Sequence, residues 1–246
     1  MKKNSDNFVY TILEKLHKTI IKIFLIFFIT ILSLPQIKAQ ILPPPVPPEW
    51  RGSIDAERSG QHDANLIRTI FYNFGMVGDY FGPERDNTVD HSVEIPKGSG
   101  ENYSDGTTPF ILAKIVQGDG TPAYIMETGY RERQAQSPIT NKIMRFEPRF
   151  GYFQTDPSIN KGRSVALSND RRTWPDEWYD KLVDPDDPGW SNSWNGFFGK
   201  APKADQESFI VYDDNFYDAW NYYPDNRDLT RRGLGMRVEQ RGFQWA

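Results

Sequence analysis

Proline and glycine punctuate this chain more than anything else in it. Its 246 residues include 18 prolines and 19 glycines, spread beyond Pro35 rather than periodic. Proline ends helices and is excluded from central strands, and glycine supplies the backbone conformations that turns require. A chain cut up in this way folds into short elements joined by many turns. The expected fold class is mainly β, antiparallel and sandwich-like, with one or two short helices and long loops. Aromatic residues make up 14 % of the chain, far more than a disordered segment carries, so a packed body is expected. Cysteine is absent. That removes disulfides, thiolate zinc sites, a cysteine nucleophile and a lipid-modified cysteine from consideration.

The N-terminus has the layout of a secretory leader, which predicts a signal helix over residues 1–39. Lys2, Lys3, Lys15, Lys18 and Lys22 form a basic segment. An uncharged, mainly apolar run from Ile23 to Leu34 follows, and Pro35 closes it. The run falls short of the roughly 20 residues that span a bilayer. Cleavage after Ala39 is therefore expected, with an uncleaved anchor as the lesser alternative. Residues 1–39 hold six lysines and two acids, so their removal takes the formal charge from −4 to −8. No basic arm remains to neutralise phosphates, and a nucleic-acid role is disfavoured. The expected location is secreted or cell-surface. The export machinery is a partner through the leader, and the membrane is met only transiently.

Residues 41–50 (ILPPPVPPEW) carry five prolines within six positions. Such a run is a stiff polyproline spacer, so residues 40–50 read as a linker and 51–246 as the folded region. Residues 62–75 (HDANLIRTIFYNFG) place Leu66, Ile67, Ile70, Phe71 and Phe74 at helical spacing. That spacing predicts a helix capped by Asp63 and stopped by Gly75. Residues 109–117 and 123–132 read as a hairpin reversing at Gly118, Asp119 and Gly120. Residues 145–153 read as an edge strand because of Pro148, and residues 208–213 and 235–246 as further strands. The last ends on Phe243 and Trp245, from which a continuation of the natural polypeptide past Ala246 is expected.

Several longer stretches, among them SGQHDANLIRTIFYNFGMVGD (59–79), TWPDEW (173–178), DPDDPGW (184–190), ADQESFIVYDD (204–214) and RRGLGMRVEQRGFQW (231–245), resemble the N-terminal region of large exported proteins of the type IX secretion system. The resemblance spans nearly the whole chain after the leader. It implies export, further β-rich modules downstream and a C-terminal sorting domain, and it assigns no catalytic residue. Relatives often read Trp-Pro at both tryptophans of the WPDEWYD stretch, whereas here the second is Trp178-Tyr179.

Two clusters are candidate sites. Trp174, Trp178, Trp190 and Trp194 could stack on sugar faces. Packing is the leading reading, because buried aromatic rings each remove roughly 150–250 Å² from water. Asp213, Asp214, Asn215 and Asp218 offer oxygen ligands for calcium, the one cofactor considered, without matching a calcium-loop pattern; a solvated acidic loop is the commoner outcome. Asp184, Asp186 and Asp187 fit such a pattern less well, since Pro185 and Pro188 interrupt them. Asp176, Glu177 and Glu207 are the carboxylates a glycoside hydrolase would draw on, and His62-Asp63 is a weak acid/base pair. Neither a nucleophile elbow nor a His-Glu-x-x-His motif occurs. The leading expectation is thus a non-catalytic structural or interaction region with a glycan or surface-protein partner. The alternative is a carbohydrate-binding module or glycan-active enzyme using residues 174–194.

Overall fold

The computed structural model describes residues 47–78, 91–130, 135–160 and 164–246, with the isolated helical positions 17, 20 and 22. Apart from those three positions, the predicted leader and the linker as far as Val46 lie outside the described residues. Among the described residues no helix is long and apolar enough to cross a membrane. The fold is mainly β and antiparallel, with short helical turns between long loops.

Strands β1 (Ser59–His62) and β2 (Thr69–Tyr72) form one hairpin, and β3 (Phe110–Val116) and β4 (Pro122–Thr128) form a second. A three-stranded sheet has the order β5 (Glu147–Pro148), β6 (Gln206–Asp213), β7 (Arg237–Gln244). Pro148 cannot donate to a ladder, and it lies in a two-residue edge strand. All eight residues of β6 are buried. Because side chains alternate between the faces of a strand, β6 supplies two different cores. Ile210 and Tyr212 join Phe71 of β2, Phe146, Val165 and Tyr217, with Ile111 of β3 packed against them. Phe209 and Val211 join Tyr152, Ala166, Trp178 and Trp194. The central sheet therefore lies between the two hairpins on one face and a tryptophan-rich loop layer on the other.

One expectation is corrected. Residues 62–75 are not a helix but the end of β1, a loop and β2, paired from Ser59↔Tyr72 to His62↔Thr69. Leu66, which a helix would bury with Ile70 and Phe74, is 71 % exposed. The β-branched and aromatic run Thr69-Ile70-Phe71-Tyr72 suits a half-buried pleat better than a helix. Asn65 Oδ1 accepts the Ile67 amide at 2.7 Å, an Asx turn that reverses the chain. The Asp63 amide donates to Gln206 Oε1 at 2.8 Å, tying the loop to β6.

Candidate ligand cleft

Two of the four tryptophans, Trp178 and Trp194, are anchors turned inward. Trp178 and Trp194 are 1 % and 0 % exposed, and their rings meet edge-to-face at 5.5 Å. Each indole N–H donates within the protein: Trp174 to Leu167 O, Trp178 to Ser193 O, Trp190 to Asp184 Oδ2 and Trp194 to Glu207 Oε2. The half-buried Trp174 tilts against Trp194 at 5.6 Å and carries the Arg171 guanidinium over its ring. Lys181 and Lys200 sit 4.2 and 5.3 Å from the Trp190 centroid. Trp178 and Trp194 are closed to a sugar by burial, whereas Trp174 and Trp190 are half-buried with cations over their rings.

The acids of residues 184–187 tie this layer together. Asp184 Oδ1 accepts the amides of Asp186 and Asp187 at 2.9 and 3.2 Å, while its other oxygen takes the Trp190 indole. That indole bond and the two amides hold the Asp184 carboxyl below its ordinary range. Asp187 pairs with Lys200. Glu207 is buried; it caps the amide of Ala204 at 3.1 Å as well as the Trp194 indole, so it faces no open surface.

The proposed calcium ligands are likewise committed to donors. Asp213 Oδ2 accepts from Arg149 Nε at 3.0 Å and from the Gly52 amide at 2.8 Å. Asp214 Oδ1 accepts from Arg231 Nη2 at 2.9 Å, and its Oδ2 accepts the Leu234 amide at 2.7 Å. Asn215 Oδ1 takes Arg231 Nη1 and the Arg232 amide, both at 2.9 Å, and Asp218 Oδ2 takes the Thr140 hydroxyl at 2.8 Å. Asp213, Asp214 and Asp218 are buried rather than forming a solvated loop. Guanidinium groups against the first two supply the countercharge a cation would bring. Among the described residues no group of three or more His, Asp or Glu side chains is placed to hold a metal.

Beside Asp214 lies Glu127 of β4, fully buried, with no hydrogen-bond donor on either carboxyl oxygen. Burial, then the Asp214 charge, pushes the Glu127 carboxyl up to about 9. Burial raises the Asp214 carboxyl as well, but Arg231 and the Met236 amide oppose that rise, so the proton of the coupled pair is assigned to Glu127. A nucleophile–base pair among the described residues is His62 Nε2 and Ser208 Oγ, 2.9 Å apart. Ser208 is 4 % exposed, and His62 Nδ1 is buried without a partner that would orient the ring. Burial pulls the His62 pKa down to about 4.

An open concavity lies at the edge of the tryptophan layer, a cleft of about 920 Å³. Two glycines set its walls. Gly151 has φ +86°, and a Cβ there would stand 2.2 Å from the Tyr179 ring, which lies directly on its backbone. Gly189, at φ +79°, backs onto the Glu177 side chain and accepts the Trp178 amide through its carbonyl at 2.8 Å. Both positions combine a left-handed backbone with a close approach that leaves no room for a side chain. Residues 175–179 are thereby clamped between 151 and 189. The half-buried Phe150 and Tyr179 line the cleft with the exposed Asp176 and Glu177, while Phe153 at its base is buried and has the Arg58 guanidinium 5.2 Å from its ring centroid. Gln154 and Asn192 add amides, Thr155 and Ser191 hydroxyls, and no lysine or arginine lines it. Gln154 Nε2 donates to Asp176 Oδ1 at 3.2 Å, and Arg171 Nη2 donates to Asn192 Oδ1 at 3.0 Å, which orients both polar groups.

Asp176 and Glu177 are thus the sequence-derived candidates that reach the cleft, while Glu207 does not. Phe150, Gln154, Tyr179 and Asn192 were missed. Only the glycines at 151 and 189 hinted that backbone segments meet there. The site defines a β-rich region with an acidic, aromatic-lined cleft. No protein-family model matches the chain, and no curated protein or solved structure is significantly similar to it.

Proposed function

We propose that this chain is a binding region of an exported protein and that its cleft takes an uncharged saccharide without chemical change. One observation carries the reading: half-buried rings stand beside exposed carboxylate, amide and hydroxyl groups in a cleft lined by no cationic side chain. A sugar ring places its C–H face on aromatic carbon and donates its hydroxyls to carboxylate and amide oxygens. Anionic ligands are disfavoured by Asp176 and Glu177. The volume falls within the range of roughly 300–1,000 Å³ typical of small-molecule sites. Export is supported by the basic segment, the uncharged run at residues 23–34 and Ala39. A mature N-terminus at Gln40, read by sequencing the protein from the cell exterior, tests that part.

For the cleft, the protein is applied to an array of neutral and charged oligosaccharides and positives are measured calorimetrically. The exposed D176A/E177A double variant is expected to melt as wild type does. It should lose at least about tenfold in affinity, since a hydrogen bond to a charged group contributes roughly 1.5–3 kcal/mol. Failure to bind any saccharide, or salt-sensitive binding of amines in its place, overturns the reading.

A further inference from the structure

The outer face of the β3–β4 hairpin is apolar and open. Phe110, Leu112, Val116, Tyr124 and Met126 are 63, 70, 61, 79 and 58 % exposed. They share one face because the register sets Leu112 opposite Met126, Lys114 opposite Tyr124 and Val116 opposite Pro122. The inward face carries the buried Ile115, Ile125 and Glu127. Among the described residues, β3 and β4 have only each other as sheet neighbours. Natural two-stranded ribbons do not leave such a face to water without a partner.

We propose that this face is the contact between two copies of the chain, packed face to face about a twofold axis. Area supports a second copy. At roughly 150–250 Å² for a Phe or Tyr and somewhat less for Leu, Val and Met, five side chains exposed to this extent present on the order of 600 Å². Two such faces together reach about 1,200 Å², the lower bound of a specific interface. Charge supports it as well. The region after residue 39 is strongly acidic, yet this face carries no carboxylate, and its one ion, Lys114, lies 5.7 Å from the Tyr124 centroid. Two copies can therefore meet here without opposing their acids. An antiparallel arrangement also brings the bulky Phe110 end of one hairpin onto the smaller Val116–Pro122 end of the other, which is the self-complementarity a twofold interface requires.

Analytical ultracentrifugation of the purified protein tests this. The sedimenting mass should be that of two chains at about 100 µM and fall toward one on dilution. Lysines at both central positions, L112K/M126K, should give one chain throughout, with unchanged circular dichroism and melting because both sites are exposed. The chain is free of cysteine, so a single introduced thiol reports geometry. L112C should oxidise to a covalent dimer, whereas the equally accessible S158C should not. A monomer across the whole concentration range, a dimer that persists in L112K/M126K, or equal cross-linking of both thiols overturns the proposal.

Discussion

Replacing Glu127 by glutamine removes one buried proton site and little else. In the folded chain Glu127 keeps its proton up to about pH 9, whereas an unfolded glutamic acid releases it near its ordinary value of 4.5. Between these limits the native state binds one more proton than the unfolded state, so the free energy of unfolding falls as pH rises. Below the lower limit both states are protonated and the full stability is present. Above the upper limit the loss is complete. One proton fixes the steepest slope at about 1.4 kcal/mol per pH unit. Glutamine has nearly the same shape and stays neutral. Wild type should therefore lose up to about 4 kcal/mol relative to E127Q between about pH 5 and pH 8. Urea unfolding of both proteins across that range, at constant ionic strength, reads the difference directly, and groups that titrate alike in both cancel. A difference that stays flat, or that grows in favour of wild type as pH rises, would refute the assignment of the proton to Glu127.

Two further outcomes follow from groups buried against β6. His62 works in the opposite direction to Glu127: its folded pKa of about 4 lies below the ordinary 6.5, so its contribution is present above 6.5 and is lost as pH falls through 4. Its ring protons should titrate by NMR with a midpoint near the lower value, and H62Q should flatten the acid side of the stability profile; a midpoint near 6.5 contradicts its burial. W194F removes the indole donor from the buried Glu207 carboxylate, at 2.7 Å in wild type, and leaves a small cavity. A loss of about 2–4 kcal/mol in denaturant unfolding is expected, and a loss below about 1 kcal/mol means that Trp194 is no anchor.

Much of the strand pattern could be read from the chain because its signals were local. The β3–β4 reversal at Gly118-Asp119-Gly120 and the uniformly apolar Phe209-Ile210-Val211-Tyr212 depend on neighbours in sequence. β2 was misread because Ile67, Ile70, Phe71 and Phe74 satisfy helical spacing by coincidence, while the side chains that tie its loop down, Gln206 and Gln244, lie well over a hundred positions away. Partners remote in sequence hid the fate of the acids too, Arg149 being 64 positions from Asp213 and Arg231 17 from Asp214. Nothing near Asp213 and Asp214 announces that Arg149 and Arg231 will face them. The cleft was legible only in fragments, since residues 150–155, 175–179 and 191–192 become one surface through backbone contacts at Gly151 and Gly189.

Since both cores draw on β6, neither can close until residue 206 and its successors are available. The ties across the molecule agree: Arg51 reaches Asp228, and the Ala64 amide reaches Gln244. A chain made N-terminus first thus stays unassembled through most of its synthesis and then completes two interiors almost together. Such late, distant pairings make for slow folding. They also leave the polypeptide pliable until its last strand has emerged.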